Sequence, residues 1–221
     1  GMGSTWAGNS GENRLTPWHN DPVSDPPSEA IYLRDEDTGE LWSPTPLPTR
    51  ADAPYTIRHG TGYTIFEHCS HELDQRLRLF VVPNAPVKIV QLKMQNTSTR
   101  IRRINITYYA EWVLGTTHEE MAQYIVPEYE STRFAMLARN PYNRDFSECV
   151  AFLAATRELQ GLTTDRTEFL GSLGSYAHPA ALERVGLTAL AQAGVDPCAA
   201  MQLLLWLAPG ETKEVTFLLG Q

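Results

Sequence analysis

Cysteine is scarce in this chain and badly placed for its structural uses. Cys69, Cys149 and Cys198 are the only three among 221 residues, widely spaced and without a CxxC pair. That argues against a disulfide framework or a thiolate zinc site and predicts free, buried thiols in a reducing compartment. Long apolar runs are missing too. The longest, around AAMQLLLWLAPG, falls short of the ~18 residues a membrane helix needs and ends in a Pro-Gly turn. With no signal-peptide pattern, a cytoplasmic location without direct membrane insertion is expected. Positive charge is sparse: the net charge is −8, which argues against nucleic acid as a partner, because phosphate binding needs clustered Lys and Arg. The one basic cluster, Arg100, Arg102 and Arg103, reads as a charged turn. No Gly-rich phosphate loop and no GxSxG is present.

What remains is an ordinary globular composition, 42% hydrophobic and 20% charged, with extended segments and few helix signals. Residues 3 to 54 are rich in Pro, Gly, Asp and Ser, with short extended pieces such as AIYLRD and ELWSP. From Tyr55 the runs YTIRHG, GYTIFEHCS, DQRLRLFVVP and VKIVQLKMQN alternate in the manner of strands. In RINITYYAEWVLG, alternation puts Ile104, Ile106, Tyr108, Ala110 and Trp112 on one face and Asn105, Thr107 and Glu111 on the other. The breaks are short turn clusters, too short for crossover helices, so an antiparallel meander is expected. RFAMLARN and ECVAFLAA read as strands, AHPAALER as a helical turn, and the C-terminal segment as two apolar strands about a Pro-Gly-Glu turn. The expected fold is all-β: one large antiparallel β-sandwich over residues 3–221 with few short helices. The opening Gly-Met reads as a non-native remnant, and the polar start as the beginning of a piece excised from a larger multidomain enzyme.

Several clusters invite chemistry. His19, Asp21 and Asp25 offer metal-compatible donors, but their spacing fits no defined site and the acids equally suit Pro-rich turns. In EHCSH, His68 and Cys69 point to opposite faces of a strand and cannot converge on one ion, so a strand end with a buried Cys is expected. Acid pairs such as Asp35 with Asp37, Glu119 with Glu120 and Asp165 with Glu168 read as solvated turns rather than a glycosidase pair. Sugar recognition has a more specific basis. Sugars present an apolar CH face and a rim of hydroxyls, so their sites combine aromatic platforms with multidentate polar groups. Arg14, Trp18, Asn20 and Asp21 supply that mixture within eight residues. Trp18 as a core anchor lidded by Arg14 fits the residues equally well.

The stretch TWAGNSGENRLTPWHNDPVSDPPSEAIYLRDEDTGELWSPTPLP closely resembles the N-terminal β-sandwich domain of inverting glycoside phosphorylases. That family includes cellobiose and chitobiose phosphorylases and, nearest in pattern, the phosphorylase-like region of cyclic β-1,2-glucan synthases. The resemblance continues through YTIRHGTGYTIFEH, ITYYAEWVLG, ARNPYN, TDRTEFLG, DPCAAMQLLLWLAPGE and FLLGQ, and so covers the whole chain.

The resemblance implies a galactose-mutarotase-like super-sandwich that precedes a helical linker and an (α/α)6 barrel. The general acid and the phosphate site belong to that barrel, past Gln221, so no catalytic residue, cofactor or metal is expected in this chain. Phosphate takes the place of the activated water of inverting hydrolysis. The partners implied are a β-glucan or gluco-oligosaccharide, the missing barrel, and a second copy in a homodimer. Any membrane attachment is left to other domains. By position in NRLTPWxND, the resemblance places Arg14, Thr16, Trp18, Asn20 and Asp21 near substrate. By position in TDRxEFLG, it places Asp165, Arg166 and Glu168 at a packing or subunit interface. Gly11 and Ser172 stand where the family pattern commonly has Arg, removing two fixed oxyanion or hydroxyl donors. The rival readings are a free-standing sugar-binding protein with Trp18 and Trp42 as platforms, and an epimerase using His59 or His68 with Glu67 or Glu111.

Overall fold

The computed structural model describes residues 2–19, 23, 26–184 and 186–221. Among these residues, thirteen strands form two antiparallel sheets. In chain order they are β1 (Glu29–Asp35), β2 (Leu41–Trp42), β3 (Tyr55–Gly60), β4 (Tyr63–Ser70), β5 (Leu73–Val81), β6 (Val87–Asn96), β7 (Arg102–Glu111), β8 (Val126–Glu130), β9 (Ala135–Arg139), β10 (Ala151–Ala155), β11 (Gly161–Asp165), β12 (Pro197–Leu207) and β13 (Thr212–Gly220). The small sheet has the order β11-β12-β7-β1-β2, and the large sheet β3-β4-β5-β6-β13-β10-β9-β8. Among the described residues helix is limited to α1 (His118–Met121), α2 (Arg166–Leu170) and three single 3-10 turns. Among the described residues no helix is long and apolar enough to cross a membrane.

Period-two alternation does most of the building. In β5, Leu73, Leu77 and Leu79 point inward with Gln75, while Asp74, Arg76 and Arg78 face out. In β13, Val215, Phe217 and Leu219 meet them from the same sheet. Ile104, Ile106, Tyr108 and Ala110 of β7 face this core from the small sheet. β7 is buried on both faces because α2 and the 3-10 turn Ala180–Leu182 cover its other side. There, Tyr32, Tyr109 and Phe169 form a second, smaller cluster, with Tyr109 stacked on Phe169 at 4.7 Å.

The meander expectation holds only locally. β3 to β6 follow one another in the large sheet, but the turns after β6 and β12 each carry the chain to the opposite sheet. The C-terminal strands therefore do not pair with each other: β12 pairs with β7, and β13 with β6. Buried Asn96 joins the two crossovers. Its amide donates to Arg100 O at 2.7 Å and Leu207 O at 2.9 Å, while its oxygen accepts from the Ser98 N–H and hydroxyl.

Three charge and thiol expectations are corrected. Arg102 is no turn residue: it is buried in β7 and donates through Nε and Nη2 to Asp35 Oδ2 at 3.0 and 2.5 Å. Asp35 is correspondingly buried rather than solvated. Burial pushes its carboxyl up, but the Asp37 N–H and the Arg102 guanidinium outweigh that and hold it below its usual value. In EHCSH the faces diverge as anticipated, with burial reversed: His68 is buried and stacked on Tyr55, while Cys69 is exposed. Of the other thiols, Cys198 is buried and Cys149 half-buried.

Candidate functional site

The N-terminal segment folds into a small hairpin. Thr5 to Ala7 run antiparallel to Asn13 to Thr16, with Leu15 N–H donating to Thr5 O at 2.8 Å and Ala7 N–H to Asn13 O at 3.2 Å. Its tip is an Asx turn in which the Asn9 side-chain oxygen accepts from Gly11 N–H and Glu12 N–H. Arg14 bridges in register to Trp6 on one side and to Gly115, beyond β7, on the other. Leu15 is fully buried and anchors the hairpin, which turns Trp6 and Arg14 outward.

Trp18 follows on this surface and is 57% exposed; Trp6 is 56% exposed. The core-anchor alternative for Trp18 is thereby corrected. The Arg14 guanidinium stands 5.7 Å over the Trp18 ring, within cation–π range. It is oriented by donating through Nε to Ser10 O at 2.8 Å and through Nη1 to Thr116 O at 3.0 Å. Trp6, Ser10, Gly11, Arg14, Thr16 and Trp18 line a cleft of about 370 Å³. A second hollow of about 320 Å³ lies against Trp18 from the side of His19 and Pro26. Trp18 is thus a partition with open space to both sides. Asn20 and Asp21, and Asp25 of the metal reading, lie outside the described residues. Among the described residues no group of three His, Cys, Asp or Glu is placed to hold a metal.

A buried polar network underlies the cleft, and the sequence reading missed it. Glu29 Oε1 accepts from the Thr5 hydroxyl at 2.5 Å and the Thr16 hydroxyl at 3.0 Å. Its Oε2 accepts from Lys88 Nζ at 2.8 Å and Tyr108 OH at 3.0 Å, and Lys88 also donates to Met2 O. Glu29 comes from β1 and Lys88 from β6, so both sheets grip the hairpin. The signal was available: Glu29 shares a strand face with Ile31 and Leu33, and Lys88 with Val90 and Leu92. A charge on each of two apolar faces asks for a partner.

The Asp165, Arg166 and Glu168 group is engaged within the chain. Asp165 caps α2 by accepting from Thr167 N–H at 2.8 Å. Arg166 pairs with Asp196 at 3.0 Å and Glu111 at 3.2 Å, and Tyr176 donates to Glu111 at 2.8 Å. His118 faces Asp196 through Nε2 at 2.7 Å and Glu111 through Nδ1 at 3.2 Å. Burial pulls the His118 pKa down, but the Asp196 hydrogen bond and the Glu111 charge overcome it and raise it above the usual 6.5. Burial beside Glu111 pushes the Tyr176 phenol up to about 12. Glu168 accepts from Thr188 and pairs with Arg184. Together these groups clamp α2 and its neighbours onto the outer face of the small sheet.

The epimerase residues do not assemble. His68 is buried and Glu67 lies on the opposite face of β4, paired with Arg58. Glu111 is in the other sheet, and His59 contacts Thr64. Trp42 is no platform either: it is fully buried, stacked on His71, and donates to Gln75.

Comparison with known proteins agrees with this architecture. The chain is 35% identical to the cyclic β-(1,2)-glucan synthase NdvB of Rhizobium meliloti (strain 1021), over all of this chain but 8% of that protein. It is 29% identical to the N,N'-diacetylchitobiose phosphorylase of Vibrio proteolyticus, over 94% of this chain and 27% of the relative. The chain thus spans about a quarter or less of these relatives. Among solved structures it superposes on a bacterial glucoamylase with a TM-score of 0.56 at 8% identity, covering 100% of this chain and 32% of that one. It also superposes on an Escherichia coli K12 protein described as an aldose 1-epimerase, with a TM-score of 0.51 at 7% identity, covering 94% and 88%. At such identities these likenesses speak for the sandwich fold alone. Residues 1–221 match the glycosyl hydrolase 94 supersandwich domain from end to end, and the chain belongs to that family.

Proposed function

We propose that this chain is a carbohydrate-associated module that binds glucan beside a catalytic domain and does not itself turn the sugar over. One observation carries the reading: two exposed indoles flank an oriented guanidinium in a hydroxyl-lined cleft held rigid from both sheets. An indole face suits the CH face of a pyranose, and an Arg fork suits adjacent hydroxyls. The glucan synthase and phosphorylase relatives supply the ligand class, a β-linked gluco-oligosaccharide. Arg14 and Trp18, with Asn20 and Asp21 beyond them in sequence, are the proposed contacts. In the whole protein the module lies against an (α/α)6 barrel that carries the reaction, and takes part in a homodimer. Asp165, Arg166 and Glu168 serve it as packing residues. The free cysteines fit a cytoplasmic setting.

Titration of intrinsic tryptophan fluorescence with β-1,2-linked gluco-oligosaccharides, with cellobiose for comparison, tests this. Saturable binding that Trp18→Ala removes is the expected result. A flat response to high millimolar sugar, or binding indifferent to Trp18→Ala, overturns the assignment of the cleft.

A further inference from the structure

The ARNPYN segment places a second aromatic platform next to this cleft. Buried Asn140 directly follows β9, donates to Leu114 O at 2.9 Å, and accepts from the Tyr142 N–H at 3.1 Å. That turn projects the Tyr142 ring, which is 61% exposed. The ring does not move freely, because it stacks on Tyr124 with centroids 4.0 Å apart and planes within 9°. It borders a cavity of about 250 Å³ that Glu12, Thr116, Asn143, Arg144 and Asp145 also line. Arg144 and Asp145 form no ion pair with any described residue, and Asn143 is held by donating to Glu12 O at 3.0 Å. A fixed aromatic face beside a guanidinium repeats the pairing in the Trp18 cleft, and here the Glu12 and Asp145 carboxylates add acceptors for sugar hydroxyls.

The two cavities share a wall. Ser10, Gly11 and Arg14 line the first, and Glu12 and Thr116 line the second, so the hairpin tip divides them. The Arg14 hydrogen bond to Thr116 O ties the two sides together. We infer that Tyr142 forms a second sugar subsite, so that one oligosaccharide chain crosses the Asn9–Arg14 turn from Trp18 to Tyr142. This rests on the carbohydrate reading of the Trp18 cleft and deepens it. A disaccharide occupies one platform, whereas a longer chain touches both.

The test is calorimetric titration of the whole 221-residue chain with β-1,2-linked glucose di-, tri- and pentasaccharides. The wild type is expected to bind the pentasaccharide roughly tenfold more tightly than the disaccharide, about the worth of one added stacking contact. Tyr142→Ala should bring that ratio close to one, and Tyr142→Phe should restore it, because the ring and its stacking on Tyr124 survive. Thermal unfolding of both variants checks that the fold is kept. Should Tyr142→Ala fail to fold, Arg144→Ala on the same rim serves instead, with a smaller fall in the ratio. A ratio unchanged by these substitutions, with binding still lost in Trp18→Ala, overturns the second subsite and leaves the first. No binding of any of the three sugars by the wild type overturns both.

Discussion

Lys88 donates to Glu29 at 2.8 Å, and this ion pair joins the large sheet to the small one directly beneath the Thr5–Thr16 hairpin. Lys88→Met leaves a buried carboxylate without its cation and should cost about 3–5 kcal/mol of unfolding free energy. The double variant Lys88→Met/Glu29→Gln should be more stable than Lys88→Met alone, because the stranded charge is gone. Denaturant unfolding measures both. Hydrogen exchange should quicken at Leu15 and Thr16, whose amides bond to Thr5 O. Equal stability of the single and double variants would contradict the account.

His118 predicts a pH dependence. Both ring nitrogens face acceptors, Asp196 and Trp112 O with Glu111 close by, and only the doubly protonated ring can donate to both. Arg166 is the cation facing the same carboxylates. Because the folded pKa lies above 6.5, this stabilisation is complete below about pH 6.5 and fades as pH rises through the folded value. His118→Gln should therefore flatten the alkaline fall of Tm. Burial pushes the Asp196 pKa up, but the hydrogen bonds from His118 and Arg166 outweigh it and hold it low. Its contribution is present above the ordinary carboxylate range and is lost as pH falls through the folded value.

Asn96 holds both crossovers through one amide. Asn96→Ala takes the side-chain partner from Leu207 O and the Ser98 N–H, while the Ser98 hydroxyl keeps Arg100, and should cost about 2 kcal/mol. Asn96→Asp should be worse, since a carboxylate oxygen would then face the carbonyls of Arg100 and Leu207. Midpoints of chemical denaturation rank the two.

Solvent accessibility divides the tryptophans into an exposed and a buried set. Trp6, Trp18 and Trp206 are more than half exposed, whereas Trp42 and Trp112 are fully buried. Acrylamide should quench two populations. Trp18→Phe should shrink the accessible one, and Trp42→Phe the protected one. A uniform response would contradict the burial of Trp42.

Strand positions were legible because alternation is local: the burial of β5, β6 and β13 can be read from every second residue. Sheet membership was not, because β12 and β13 look like a hairpin and part company only when each meets its partner strand. Trp18 and Trp42 show the same limit at the site. Both sit among prolines and acids, but Trp42 pairs in register with Leu33 and enters the core, while Trp18 stays outside it.

By itself, the sequence determined an all-β sandwich, its family, and an N-terminal loop dense in aromatic and polar groups, since these depend on residue order and short-range periodicity. Tertiary structure decided which charges are buried, which tryptophans reach solvent, and that Arg14, Thr116 and Tyr142 come together. Those depend on contacts between residues far apart in the chain, where the cost of an unpaired buried charge selects the partner.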